Sequence, residues 1–164
     1  IHAQMTREDQ IARMAELGVT PSFFSAHTYY WGDRHAAIFM GPERAANMSP
    51  ARWALEAGVR FSSHLDTPVT PMLPLQAVWS QVERKSTGGT VIGPDQRIDR
   101  LSALRAVTIA AAWQVFMDKE IGSLEPGKLA DMVVLSGSPL ESSDIRELVV
   151  EQTFIGGAEV YSRR

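Results

Sequence analysis

Cysteine is absent from the 164 residues. This absence excludes disulfides, thiolate nucleophiles and zinc–thiolate sites, so a bound metal would need His, Asp, Glu or a modified Lys. It is compatible with a cytoplasmic location. The net charge is -3 and no basic block occurs, so we expect no nucleic-acid partner. No apolar run reaches transmembrane length and no signal peptide is visible, so we expect no membrane contact.

The composition is that of an ordinary globular protein, with 45% hydrophobic and 21% charged residues. A chain of this length can bury a substantial core. The first residue is Ile1 rather than Met, and Ile1–Gln4 resembles the end of a strand. We therefore expect this sequence to be part of a longer polypeptide.

The first 70 residues alternate between segments typical of strands and segments typical of helices. Apolar spacing predicts helices over Thr6–Leu17 and Pro50–Ala57, and strands over Val19–Ser25 and Val59–His64. The polar segment Ala26–His35 is predicted to be a loop. Such alternation favours βα units with a parallel sheet, which is an α/β fold.

The second half of the chain changes character after Asp118. Before it, helices are predicted over Leu75–Arg84 and Arg100–Val115, the latter capped by Asp99. After it, glycine and proline separate short segments, so we predict an α/β part over 1–118 and a small β module over 119–164. The predicted strands of this module are Asp131–Leu135, Val149–Ile155 and Ala158–Tyr161, the last two joined as a hairpin by Gly156-Gly157.

The stretch Arg60–Pro71 is the most informative candidate site. An apolar segment leads directly to His64 and Asp66, and two prolines then stop further strand pairing. Barrel enzymes present catalytic side chains from strand ends in this way, and a carboxylate there can bind a metal and accept a proton. The alternative is that Asp66 only caps a turn before Pro68. Spacing alone leaves both interpretations open.

The segment His27–His35 is dense in aromatic and hydrogen-bonding groups. Tyr29 and Trp31 are candidates to line a pocket, and Arg34 is a candidate to bind an anionic group. The alternative is that the aromatic rings pack beneath the loop while Asp33 pairs with Arg34 or caps a turn.

His2 has the sequence context of a metal ligand at a strand end. A single histidine is nevertheless more often a hydrogen-bonded structural residue than a ligand. Catalytic zinc usually has three protein ligands and an open position, so His2 and Asp66 would form only part of a site. The remaining ligands are expected to precede Ile1.

The segment Gly122–Leu135, with its Glu-Pro-Gly-Lys turn followed by Ala-Asp and an apolar strand, resembles the C-terminal signature of the amidohydrolase superfamily. The segments 27–35, 63–71 and 101–113 resemble the branch that includes N-substituted formamide deformylase. The resemblance implies the C-terminal part of a (β/α)8 TIM-like barrel, strands six to eight, plus part of a small β-sandwich. In that comparison His2 closes strand six, Phe23–Ser25 belongs to strand seven, and Phe61–Asp66 forms strand eight.

The resemblance also implies an activity, the hydrolysis of amide-like C–N bonds in small molecules with one or two divalent metal ions, zinc above all. By position, His2 and Asp66 resemble metal ligands, and Asp66 resembles the general base toward the hydrolytic water. His64 and the segment containing His27, Tyr29, Trp31 and Arg34 would be neighbouring or substrate contacts.

The family's other metal ligands are not found in this sequence. Three strands cannot close a barrel, and they leave two open edges. We therefore expect the isolated chain to be inactive, either without a bound metal or with a partial site. We also expect it to form homo-oligomers through these edges. A non-catalytic binding or regulatory module on the same fold is the alternative function.

Overall fold

A computed structural model describes residues 1–164. It contains seven α-helices and five strands, and the predicted α/β alternation is confirmed through β2. In chain order the elements are α1 (Glu8–Leu17), β1 (Ser22–Phe23), α2 (Ala26–Arg34), α3 (Pro42–Ala46), α4 (Ala51–Glu56), β2 (Ser62–Ser63), α5 (Pro74–Glu83), α6 (Arg100–Val107), α7 (Ile109–Gln114), β3 (Met132–Leu135), β4 (Val150–Ile155) and β5 (Ala158–Ser162).

The N-terminal sheet is parallel, as the alternation predicts. β1 pairs with β2 in the register Ser22 to Ser62 and Phe23 to Ser63, and His2 forms a parallel bridge with Phe23. Both strands are shorter than the predicted segments Val19–Ser25 and Val59–His64, with two paired residues each. Pro21 contributes to this, because it has no N–H to donate to a neighbouring strand.

The segment predicted as a loop, Ala26–His35, is instead helix α2, continued by one turn of π-helix over His35–Phe39. Packing explains the difference, because Tyr29 contacts Trp79 on α5 with ring centroids 5.5 Å apart. Gly32 allows α2 to lie close to the Ile92 side chain, because a Cβ at position 32 would lie 2.9 Å from Cγ1 of Ile92. Tertiary contacts thus override the weak helix propensity of an aromatic segment.

The predicted helix Arg100–Val115 is divided into α6 and α7. Asp99 caps α6 as predicted, since its carboxylate accepts a hydrogen bond from the Ser102 backbone N–H at 2.9 Å. The break falls at Thr108, whose backbone leaves the helical region (φ -124°, ψ -101°). Its hydroxyl donates to the Leu104 carbonyl, a bond that bends or interrupts helices.

The larger of two buried hydrophobic clusters joins β1, the start of β2 and helix α5. Phe23, Phe61, Val78, Trp79 and Ile98 are among its buried members, so both parallel strands and helix α5 pack on the same interior. The core therefore holds the carboxyl ends of β1 and β2 in fixed positions.

The C-terminal strands form a separate antiparallel sheet in the order β3-β4-β5. Gly156-Gly157 makes the β4–β5 turn, which confirms the predicted hairpin. Apolar side chains on this sheet, such as Val133, Ile155 and Val160, are exposed. None of the helices combines the length and the apolar character that crossing a membrane requires.

Candidate metal centre

His2, His64 and Asp66 lie together at the carboxyl end of the parallel sheet. His2 is at the bridge to β1, and His64 and Asp66 follow β2 directly. One candidate ligand atom from each residue falls within 4.8 Å of the other two. The closest pairs are Nδ1 of His2 and Nε2 of His64 at 2.9 Å, and Nε2 of His2 and Oδ2 of Asp66 at 3.6 Å.

Asp66 does not use its carboxylate to cap the turn before Pro68. Its backbone carbonyl accepts from the Val69 N–H at 2.7 Å, whereas its carboxylate faces the His2 imidazole. Both His2 (φ 62°) and Asp66 (φ 54°) adopt the left-handed backbone conformation. Such conformations are uncommon outside glycine and cluster at functional sites, because the surrounding structure must compensate for their cost.

His64 has a protein partner at each ring nitrogen. Nε2 faces His2, and Nδ1 lies 2.8 Å from the Ser22 hydroxyl. Burial is the largest cause that lowers the pKa of His64, and the neighbouring His2 lowers it further, while Asp66 acts in the opposite direction. The lowered pKa favours the neutral form of His64, which can accept a hydrogen bond or bind a metal.

An aromatic wall of Phe24, His27 and Trp31 borders the centre. The ring centroid of Phe24 is 4.0 Å from that of His27 and 5.5 Å from that of His2. Trp31 lies one helical turn after His27, with centroids 5.4 Å apart. Burial, followed by the charges of His2, His35 and His64, lowers the pKa of His27 to about 4. Nδ1 of His27 is buried without a hydrogen-bond partner.

Tyr29 and Arg34 lie on other sides of α2 and contact different groups. Tyr29 packs on Trp79 next to the core, and the Arg34 guanidinium lies 5.6 Å from the Phe39 ring centroid. Of the predicted substrate contacts, the structure brings His27, Trp31 and His64 to the centre and directs Tyr29 and Arg34 to these other partners.

The chain is similar in sequence to a known protein family. The model of the Amidohydrolase family matches residues 1–161. The chain belongs to the amidohydrolase family. It is 31% identical to N-substituted formamide deformylase of Arthrobacter pascens over 164 residues, and 33% identical to Protein LONG AFTER FAR-RED 3 of Arabidopsis thaliana over 166. These alignments cover 99% and 98% of this chain but only 30% and 28% of those proteins.

Solved structures show a similar fold. A metal-dependent hydrolase from Pyrococcus furiosus superposes with a TM-score of 0.69 at 26% identity, over 85% of this chain and 28% of its own. An amidohydrolase from Thermotoga maritima superposes with a TM-score of 0.69 at 23% identity, over 97% of this chain and 36% of its own. The amidohydrolase chain described here thus spans about a third of these structures.

The candidate donor atoms of His2, His64 and Asp66 suit a divalent transition metal. Two imidazoles and one carboxylate form a donor set typical of zinc and its neighbours in the periodic table. His2 and Asp66, the predicted ligands, are adjacent and about two-fifths exposed, with relative side-chain accessibilities of 42% and 36%. An ion could therefore reach both residues from solvent.

Three polar residues around the centre, Ser22, Ser62 and Gln114, were not among the predicted site residues. Ser22 and Ser62 face each other across the parallel strands, and Gln114 at the end of α7 contacts Ser62. The serines follow the strand alternation and could have been found once the register was known. Gln114 lies about 50 residues further along and has no local sequence signal.

Proposed function

We propose that this chain carries part of the active centre of a metal-dependent hydrolase that cleaves C–N bonds in small, amide-like substrates. The observation behind this proposal is the 3.6 Å approach of His2 Nε2 to Asp66 Oδ2 at the carboxyl end of a parallel sheet. Parallel α/β enzymes build their active sites at that end. Family membership is consistent with the same chemistry.

His2 and Asp66 are the proposed ligands of a divalent ion, with zinc the favoured metal. When bound, such an ion polarises an amide carbonyl and lowers the pKa of water. Asp66 accepts a proton from the attacking water and delivers it to the leaving nitrogen. Water oxygen becomes bonded to the carbonyl carbon, the C–N bond breaks, and the products are a carboxylic acid and an amine.

The aromatic wall is proposed to contact the substrate. Phe24 is buried beneath His27, so His27 and Trp31 offer the accessible ring faces beside the ligands. At pH 7 His27 is neutral because its pKa is about 4, and it can donate or accept one hydrogen bond.

We further propose that the bridge at His2, β1 and β2 correspond to strands six, seven and eight of an eight-stranded barrel. Three parallel segments lie side by side in that order, with helices in the connections. Two open edges remain, and a catalytic metal usually has three protein ligands. Other barrel strands would supply the missing ligands, so the 164-residue chain alone should not turn over substrate.

The test is hydrolysis of a panel of N-substituted amides with zinc present. We expect no turnover by the 164-residue chain, and turnover by a longer polypeptide that contains these residues with the additional ligands. Asp66→Asn should abolish that turnover, whereas Asp95→Asn, at an exposed aspartate outside the centre, should preserve it. Turnover by the 164-residue chain that depends on Asp66 would contradict the incomplete site, and turnover that survives Asp66→Asn would contradict its role.

The alternative is a binding or regulatory module that retains the fold without the chemistry. Metal analysis of the longer polypeptide separates the two functions. Stoichiometric zinc that is lost in His2→Ala supports the enzyme, and a folded, metal-free protein with ligand affinity supports the module.

A further inference from the structure

The turn that carries the proposed metal ligand His2 is strained. His2 and Ala3 are both in the left-handed backbone conformation, with φ of 62° and 46°, which residues other than glycine rarely adopt. Such a turn persists only where neighbouring groups hold it. The Phe24 N–H donates to the His2 carbonyl at 3.4 Å, and the Thr6 hydroxyl donates to the Ala3 carbonyl at 2.8 Å. The first bond is long and the second lies within the same segment, so further support reaches the turn through the next residue, Gln4.

Gln4 is attached to the segment Ala46–Ser49 through both its main chain and its side chain. The Ser49 N–H donates to the Gln4 carbonyl at 2.8 Å. The Gln4 side-chain amide donates to Sδ of Met48 at 3.3 Å. The same amide nitrogen lies 3.1 Å from Nε2 of His35, which follows α2. We call Ala46–Ser49 the anchor segment, because its position sets that of Gln4 and of the turn before it.

Arg84 holds the anchor segment. Its terminal nitrogens donate to the carbonyls of Met48 at 2.8 Å and of Ser49 and Ala46 at 3.3 Å. Its Nε donates to the Ile92 carbonyl at 2.7 Å. A guanidinium presents its N–H donors in a rigid planar fork, so it fixes these carbonyls relative to one another. A lysine has a single side-chain nitrogen and cannot reproduce this fork.

Two features indicate that this position requires the arginine side chain. Arg84 ends α5 with φ of 49°, in the left-handed conformation that glycine usually supplies at a helix end. Its side chain is also buried, and burying a charge is costly unless hydrogen bonds compensate. The carbonyl contacts provide that compensation, so they are the reason for an arginine at this position.

We infer that Arg84 is a positioning residue for the metal ligand His2. Arg84 holds the anchor segment, and the anchor segment holds Gln4. Gln4 in turn fixes the strained turn, in which Nε2 of His2 lies 3.6 Å from Oδ2 of Asp66. The consequence for metal binding rests on the proposed function, whereas the connection between Arg84 and the turn does not.

Two variants distinguish this role from a purely structural one. Arg84→Lys retains the charge but loses the fork, and Ile145→Ala is its matched control. Ile145 is buried in the larger core cluster, whereas Met48 and Ile92 belong to the smaller one. Both variants lower the stability of the fold, but only Arg84→Lys releases the anchor segment. If Arg84 were purely structural, the two variants would behave alike at His2.

Hydrogen–deuterium exchange tests the connection without a metal. It is measured by mass spectrometry under native conditions, where local opening determines the rates, in the longer polypeptide that contains these residues and the additional ligands. In Arg84→Lys we expect faster exchange over residues 45–50 and also over residues 1–6, to which Arg84 makes no hydrogen bond. Ile145→Ala should leave both segments unchanged. Faster exchange over residues 45–50 alone would overturn the inference, because release of the anchor segment would not reach the turn.

Zinc affinity of the same polypeptides, measured against a chromophoric chelator, tests the consequence for the metal centre. Loss of a partner that orients a ligand typically weakens metal binding about 10–100-fold. We expect a loss of at least about tenfold in Arg84→Lys and none in Ile145→Ala. Equal affinity of Arg84→Lys and the wild type would overturn the positioning role. Absence of zinc binding by the wild type would instead contradict the proposed function, and the metal-free exchange would then decide the connection between Arg84 and the turn.

The wild type alone supplies a further measurement, because coupling between two sites is reciprocal. If the anchor segment favours zinc binding at His2, bound zinc must stabilise the anchor segment. We expect saturating zinc to slow exchange over residues 45–50 and to leave residues 150–162 of the C-terminal sheet unchanged. Unchanged exchange over residues 45–50 in the zinc-loaded wild type would overturn the inference, even if no Arg84 variant folds.

Discussion

Arg84 is the largest side chain that is fully buried, with 1% relative exposure, and no carboxylate is paired with it. Its guanidinium instead donates to backbone carbonyls, at 2.7 Å to Ile92 and 2.8 Å to Met48, and at 3.3 Å to both Ser49 and Ala46. Burial, with a smaller effect of the Arg97 charge, lowers the pKa of Arg84 to about 10, so the group remains charged at pH 7.

Arg84→Met should therefore destabilise the fold strongly. The short bonds to the Ile92 and Met48 carbonyls contribute most, and each buried carbonyl left without a donor costs about 1–3 kcal/mol. Methionine is uncharged, so the variant avoids the cost of desolvating the Arg84 charge, and this offsets part of the loss. We expect a net loss of about 3 kcal/mol, a large fraction of the roughly 5–15 kcal/mol typical of a domain.

Urea unfolding followed by tryptophan fluorescence measures the effect as a lower midpoint with an unchanged m-value. Arg44→Met is the matched control, because the exposed Arg44 donates to one carbonyl, that of Met40, and its loss should change stability by less than about 0.5 kcal/mol. Equal stability of Arg84→Met and Arg44→Met would refute the reasoning.

Three further predictions concern packing, pH and association. Gly93→Ala should unfold at a lower urea concentration than Gly127→Ala. Both glycines have positive φ, but a Cβ on Gly93 would lie 1.7 Å from the Ala46 carbonyl oxygen, whereas a Cβ on Gly127 would meet nothing within 4 Å. Equal unfolding midpoints would contradict the predicted clash. The pKa of His27 falls from 6.5 to about 4 on folding, so the unfolded chain binds more protons between those values and stability is lost as pH falls through that window. After discounting for the partial exposure of the ring, we expect the free energy of unfolding, measured with urea, to be about 1–2 kcal/mol lower at pH 4.5 than at pH 7. His27→Gln should lack this difference. The same decrease in both proteins would contradict the assignment to His27. Light scattering should detect oligomers of the 164-residue chain, because sheet edges are open and apolar side chains of β3–β5 are exposed; a monomer at all concentrations would argue against association.

The sequence predicted the elements whose signals are local. Gly156-Gly157 identified the β4–β5 hairpin, and Asp99 identified the start of α6, because turns and caps depend on neighbouring residues. Helix α2 was not predicted, because its aromatic residues have weak helix propensity. The contact of Tyr29 with Trp79, about 50 residues further on, stabilises it.

The same distinction applies to the centre. Strand-end context made His2, His64 and Asp66 candidates, since parallel strands bring their carboxyl ends to one edge. The resemblance to the amidohydrolase superfamily made His2 and Asp66 the metal ligands and His64 a neighbouring or substrate contact. The partners of His64 required the strand register that pairs Ser22 with Ser62. Gln114 required the position of α7, which depends on the break at Thr108, and neither feature has a signal in the local sequence.

Zinc titration of a longer polypeptide that contains these 164 residues and the additional ligands, with a chromophoric chelator as competitor, tests the central claim most directly. The arrangement of His2 and Asp66 predicts one ion per chain, with affinity reduced at least about tenfold in His2→Ala and in Asp66→Asn. Asp95→Asn should bind as the wild type does. The same affinity in all four proteins, or no binding by the wild type, would contradict a metal centre at His2 and Asp66.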